Sequence, residues 1–213
     1  MLQDTFQVGY GATNRTFVVT AYFHDEYYRM HDPKNRILFV NILKNDLLRV
    51  AKEAIVKSEI ELADAIRDDL ALITQMHGSL TLVGVPRSKR EESYPWAKMG
   101  LKRALRRAVS QNGRLDDGLD FIVRHTDTRC THLSRWGHGG VGEAPRPGLI
   151  ADTCWLSSQI EGRDILLVDD IYTPNCGIDE DAIRALFNAG ARSVVFYAIG
   201  YTVRRDRHFR YCA

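Results

Sequence analysis

Ile165-Leu166-Leu167-Val168-Asp169-Asp170-Ile171-Tyr172-Thr173-Pro174-Asn175-Cys176-Gly177-Ile178-Asp179-Glu180 is the stretch on which the fold class turns. Its first four residues form a continuous apolar run, as a strand buried on both faces requires. Two acids follow, then a few turn-forming and small residues. A helical segment comes next, Ile178 to Ala189, with Gly190 as its stop. Ser193-Val194-Val195-Phe196-Tyr197-Ala198-Ile199 reads as another strand. Strand, turn, helix, strand is the repeating unit of a parallel sheet. A turn that ends on a helix N-terminus presents backbone N–H groups and the positive end of the helix dipole, which makes an anion cradle. Asp169 and Asp170 beside it suit sugar hydroxyls, because a carboxylate accepts two hydroxyl hydrogen bonds with good geometry. Phosphate plus ribose is the natural joint ligand. The plainer reading of the same residues is a strand-to-helix turn that uses Asp as a helix cap.

Outward from that segment the alternation continues. Leu80 to Val85 is a buried-type strand, and Pro95 to about Gln111 a helix with Pro in its first turn. Phe121-Ile122-Val123 is a short strand, followed by a long loop rich in Gly and His, Thr126 to Gly148. Toward the N-terminus, Phe17 to Phe23 and Ile37 to Leu43 read as strands, separated by a polar stretch with Pro33. A helix is predicted from Asp46 to about Val56. A second is predicted from Ser58, with Ser58-x-x-Glu61 as its capping box and Leu62, Ile66, Leu70 and Ile73 as its apolar face. The pattern predicts an α/β fold, a doubly wound and mostly parallel sheet, in which ligands bind beyond the carboxyl ends of the strands. Residues 1–78 form an N-terminal hood and helical segment packed on the core, 79–201 the core, and 202–213 a basic C-terminal tail.

Composition excludes several classes. The 213 residues are 45% hydrophobic and 26% charged, which argues against disorder, collagen and coiled coil. No run approaches the ~18 apolar residues of a membrane helix, and Met1 to Thr5 lacks a secretory pattern. A cytoplasmic protein without membrane partners is expected. The net charge of +2 demands neither nucleic acid nor membrane. Cys130, Cys154, Cys176 and Cys212 lie far apart with no Cys-x-x-Cys pair, so reduced thiols are expected. His125, Cys130, His132 and His138 match no metal-ligand spacing.

The segment from Val168 to Thr173, resuming at Ile178-Asp179-Glu180 and Ala189-Gly190-Ala191, resembles the phosphoribosyl pyrophosphate (PRPP) motif of type I phosphoribosyltransferases. The closest flavour is the ComF-like branch, and the likeness covers about residues 79–201. The resemblance implies that Asp169 and Asp170 hold the ribose 2′- and 3′-hydroxyls. Thr173, Pro174, Asn175, Cys176 and Gly177 would wrap the 5′-phosphate. Pro174, Asn175 and Gly177 depart from the family's Thr-Thr-Gly-small-Thr pattern, and Pro174 removes one backbone donor. A second loop, Val85 to Arg90, follows an earlier strand, and Arg87, Ser88 and Lys89 are its candidates for binding pyrophosphate. Arg124, Arg129 and Arg135 would meet the pyrophosphate from a mobile hood rich in glycine: Gly137, Gly139, Gly140 and Gly142. Mg²⁺ would arrive on the pyrophosphate near Asp169 and Asp170, not in an all-protein cage.

Three features remain. Residues 1–57 would build the pocket for the base, with Tyr22, Phe23, Tyr27 and Tyr28 available to stack; packing into the core is the plainer role for a strand rich in aromatics. Nine Lys or Arg and two Glu lie between Arg87 and Arg114, with Lys98, Lys102 and Arg106 on one helical face. That face is a solvated surface, a field for polyphosphates or a nucleic-acid patch. The resemblance implies a Mg²⁺-dependent phosphoribosyltransferase acting on a purine-like base, or in reverse on a nucleotide and pyrophosphate. It extends to the toxic member of anti-phage toxin–antitoxin pairs, whose partner resembles the DNA-processing protein DprA, and it allows a homodimer. The competing expectation is a non-catalytic sensor of PRPP or nucleotide that binds nucleic acid or a protein partner.

Overall fold

The computed structural model describes residues 5–10, 17–28, 32–44, 50–130, 142–174 and 176–203. Asn175, Arg135, His132, His138, Gly137, Gly139, Gly140, the predicted helix start at Asp46 and residues 204–213 of the C-terminal tail lie outside them. The elements are β1 (Phe6–Tyr10), β2 (Phe17–Tyr27), α1 (Leu38–Lys44), α2 (Lys52–His77), β3 (Leu80–Gly84), α3 (Gly100–Ser110), β4 (Leu115–Asp117), β5 (Ile122–Arg124), α4 (Leu149–Thr153), β6 (Cys154–Leu156), β7 (Asp164–Tyr172), α5 (Ile178–Asn188) and β8 (Ser193–Thr202).

A six-stranded sheet in the order β1-β2-β8-β7-β3-β4 forms the centre. Only β1 runs antiparallel to its neighbour; the other pairs are parallel. The chain is thus an α/β protein with a mostly parallel sheet. Period-2 alternation divides each central strand between two cores. Leu166 and Val168 of β7 and Val195, Tyr197 and Ile199 of β8 face α1, α2 and α3. Ile165, Leu167, Val194, Phe196 and Ala198 face α5 and the β5–β6 ribbon. Burying each large side chain contributes about 1.5–3 kcal/mol. No helix among the described residues is long and apolar enough to cross a membrane.

Three expectations are corrected. Ile37 to Leu43 is not a strand: its buried apolar residues are Ile37, Val40 and Leu43, and Leu38 is exposed, a spacing of three that fits a helix. The two predicted helices are one over the described residues, 26 residues from Lys52 to His77. Ser58 caps nothing; it is 2% exposed in the interior of α2, between Ile55 and Leu62 on the same buried stripe. The strand predicted at Phe121 to Val123 does not join the main sheet but pairs with β6 in a separate antiparallel ribbon.

Candidate functional site

The two loops singled out in the sequence emerge side by side. Gly84 at the end of β3 is the register partner of Val168, and Val85 N donates to Val168 O at 2.9 Å. The strand β7 continues four residues past Val168, so the acid pair sits inside the ladder and not in the loop beyond it. Successive side chains of a strand take opposite faces. Asp170 therefore meets α1, where Lys44 Nζ lies 2.9 Å from its Oδ1. Asp169 turns to the other face, toward the Asp179 carboxyl on the first turn of α5. Burial first, and the Asp170 charge second, push Asp169 up to about 7. Burial and the Asp169 charge hold Asp179, 3% exposed, well above the usual carboxylate range.

The phosphate-loop candidates are partly committed among themselves. Thr173 Oγ1 lies 2.8 Å from Thr202 Oγ1 on β8, and the Cys176 N–H donates to Thr173 O at 3.1 Å. Gly177, at φ +79°, turns the chain into α5 in the left-handed region that favours glycine. The first turn of α5 carries Asp179, Glu180 and Asp181, which answer the positive end of its dipole. Asp181 accepts from Gly148 N at 2.6 Å and Ile150 N at 2.7 Å and pairs with Arg184, so it anchors the returning end of the long loop. Buried oxygens of Asp179 and Glu180 have no hydrogen-bond partner among the described residues.

The second loop is held from below and from both sides. Arg87 donates from Nη1 to Lys98 O at 2.7 Å and from Nη2 to Lys44 O at 3.1 Å, and its guanidinium lies 4.5 Å over the Tyr94 ring. Ser88 O accepts from Thr128 N at 2.7 Å. Lys89 Nζ donates to Thr128 O at 3.0 Å and its N–H to Tyr94 Oη at 3.1 Å. Arg124 is 5% exposed and donates to Arg87 O and Thr153 Oγ1. It lies under the loop and lines the cavity beside it. Arg129 is exposed, and its N–H donates to Glu143 O at 2.9 Å across the base of the long loop. Beneath the second loop lies a cavity of about 80 Å³ lined by Val85, Arg87, Tyr94, Lys98, Leu101 and Val168.

The aromatic candidates separate. Tyr22, 4% exposed, packs in the core with its hydroxyl 2.9 Å from His77 Nε2 on α2. Phe23 packs on the opposite face against Phe6 and Tyr201. Neither reaches the acid pair. Tyr27 does belong there: its hydroxyl donates to Asn41 Oδ1 at 2.8 Å, beside Lys44 and Asp170. Sequence reasoning missed Lys44, Asn41 and Tyr94 as members of this region, and missed Asp179 as the partner of Asp169. Lys44 and Asn41 were hidden by the misread element; a three-residue period in Ile37, Val40 and Leu43 was the available signal.

The basic helix is largely neutralised. Lys102 pairs with Glu91 at 2.7 Å, Arg103 with Glu59, and Arg106 with Asp117 and Asp120 at 2.9 Å each. Cys130, Cys154 and Cys176 form no disulfide. Among the described residues no group of three or more His, Cys, Asp or Glu is arranged to hold a metal ion. Neither a scan against protein-family models nor a search of curated proteins found a match to this chain.

Proposed function

We propose that the chain is a phosphoribosyltransferase of the type I kind, moving a 5-phosphoribosyl group to or from a purine-like base. The observation that carries this reading is the Gly84–Val168 register, which brings an acid-bearing strand end with its loop and helix alongside a second, basic loop at one carboxyl edge. In this reading Asp170 and Asp169 accept hydrogen bonds from the ribose diol, and the turn from Thr173 to Gly177 meets the 5′-phosphate. The Arg87–Lys89 loop contacts the pyrophosphate through its backbone and the Lys89 ammonium, with Arg124 as a positioning residue that holds Arg87 O from beneath. Cations about the departing pyrophosphate lower the barrier by neutralising developing charge. Mg²⁺ would supply further charge neutralisation on the pyrophosphate. That ion would ride on the pyrophosphate near Asp169 and Asp170. A growth-inhibiting toxin restrained by a DprA-like antitoxin is the biological setting this activity suits.

The test is a mass-spectrometric product scan. Purified protein and Mg²⁺ are incubated with PRPP and mixed bases, and in parallel with nucleotides and pyrophosphate, against the Asp169→Asn/Asp170→Asn variant. The expected result is a nucleotide peak that appears or vanishes only with the wild type. No change from folded protein in either tube would refute turnover. That outcome would favour the second reading, a sensor of PRPP or nucleotide. The observation behind the second reading is that Thr173 Oγ1, the Cys176 N–H and the Arg87 fork are already engaged without ligand.

A further inference from the structure

Lys44 touches both halves of the site. It ends α1, and its ammonium lies 2.9 Å from Asp170 Oδ1, while its backbone carbonyl accepts from Arg87 Nη2 of the second loop at 3.1 Å. The helix that carries it is fixed: Ile37, Val40 and Leu43 are buried, and Asn41 is bonded by Tyr27 Oη of β2. The Lys44 and Asp170 side chains are 23% and 15% exposed, so the pair is partly open to solvent and not sealed in the core. We infer that Lys44 is a substrate-binding residue that exchanges Asp170 for the anionic group at ribose C1, and so makes the site select a ribose that carries pyrophosphate over one that lacks it. The inference rests on reading Asp170 as the diol acceptor and the Arg87–Lys89 loop as the pyrophosphate binder.

The chemistry runs as a competition. An Asp170 oxygen engaged by an ammonium has less capacity left for sugar hydroxyls. A ligand without an anion near C1 must displace Lys44 and leave the ammonium with a poorer partner. A ligand with pyrophosphate supplies a stronger acceptor beside the second loop, and the ammonium moves to it as Asp170 takes the diol. Lysine suits this exchange: it is a point charge on a flexible stem, and a partly exposed ion pair is weak enough to break. Arg87 does not suit it, because its planar fork spans two backbone carbonyls, Lys98 O and Lys44 O.

The experiment is calorimetric titration of the full chain with Mg²⁺ and, separately, PRPP, inorganic pyrophosphate and ribose 5-phosphate. Wild type is compared with Lys44→Met, Lys44→Gln and Lys44→Arg, each checked by thermal unfolding. The expected result is a loss of tenfold or more in PRPP and pyrophosphate affinity for the two neutral variants. Ribose 5-phosphate affinity stays unchanged or tightens, and Lys44→Arg retains most of the PRPP affinity. An equal loss for PRPP and ribose 5-phosphate, or no loss for either, would overturn the inference and leave Lys44 as a structural ion pair. Wild-type protein that binds none of the three ligands would instead overturn the proposed function on which the inference stands.

Discussion

Burial and the Asp170 charge raise Asp169 to about 7, and burial and the Asp169 charge raise Asp179, which favours a protonated carboxyl between them. With Lys44 on Asp170 as well, the acid pair presents little net negative charge to an incoming polyanion. The same pair gives stability a pH dependence whose sign is fixed. An unfolded Asp titrates near pH ~3.9, whereas folded Asp169 is pushed up to about 7. Across that window the native state holds a proton that the unfolded chain has released. Unfolding therefore sheds a proton, and the Asp169 contribution to stability falls as pH rises from about 4 to about 7, with Asp179, raised in the same sense, adding to the fall. Asp179→Asn places a neutral amide donor against Asp169 and removes the need for the proton. Thermal midpoints at pH 5 and pH 8 test this: wild type melts higher at pH 5, and the gap between the two pH values narrows in Asp179→Asn. The same gap in both proteins would show that the pair does not carry the effect. None of this was legible in the sequence, where Asp179 is only the first acid of a helix. Its burial depends on how α5 lies across β7, a long-range fact that no local pattern encodes.

At the scale of elements, legibility followed periodicity. The apolar runs at Leu80 and Ile165 and the helix from Ile178 were readable because both faces of a central strand, or one stripe of a helix, are apolar. Ile37 to Leu43 was misread because its β-branched and aromatic residues fit a strand by propensity, while packing of every third residue against α2 and α3 decided for helix. Ser58 was misread because a capping box is a local signal, and the continuous stripe Ile55, Leu62, Ile66, Leu70 and Ile73 overrode it. Asp69, on that long helix, is the polar anchor that sets α2 on the sheet. Fully buried, it lies 2.7 Å from His24 Nδ1 of β2 and accepts from Tyr197 Oη of β8 at 3.0 Å. Asp69→Ala strands a buried tyrosine hydroxyl and leaves His24 without its carboxylate, which costs about 3 kcal/mol. Tyr197→Phe deletes a single hydrogen bond and costs about 1 kcal/mol. Urea titrations read both. Equal and small losses would mean that apolar contacts alone dock α2.

For the whole molecule, the distribution of charge separates the enzyme reading from a nucleic-acid binder. A run of nine cations against two Glu suggests a basic patch, yet folding brings Glu59 of α2, and Asp117 and Asp120 of the segment that follows Arg114, to it. Of the cations on and just before α3, Lys98 and Arg107 make no ion pair with another described residue. The slope of log affinity against log salt is about −0.9 per neutralised phosphate, so two uncommitted cations predict a slope near −2 for this face. Fluorescence anisotropy with a random-sequence duplex between 50 and 200 mM salt (roughly the range over which counterion release is resolved) measures it. The chain to use has Arg204, Arg205, Arg207 and Arg210 changed to Gln, so that the tail does not contribute. Weak binding with a slope near −2 is the expected result and leaves polyphosphate chemistry at the sheet edge as the use of the positive charge. A slope of about −4.5 would require the carboxylates to release Lys102, Arg103 and Arg106 to phosphate, and would make nucleic acid the ligand of this face.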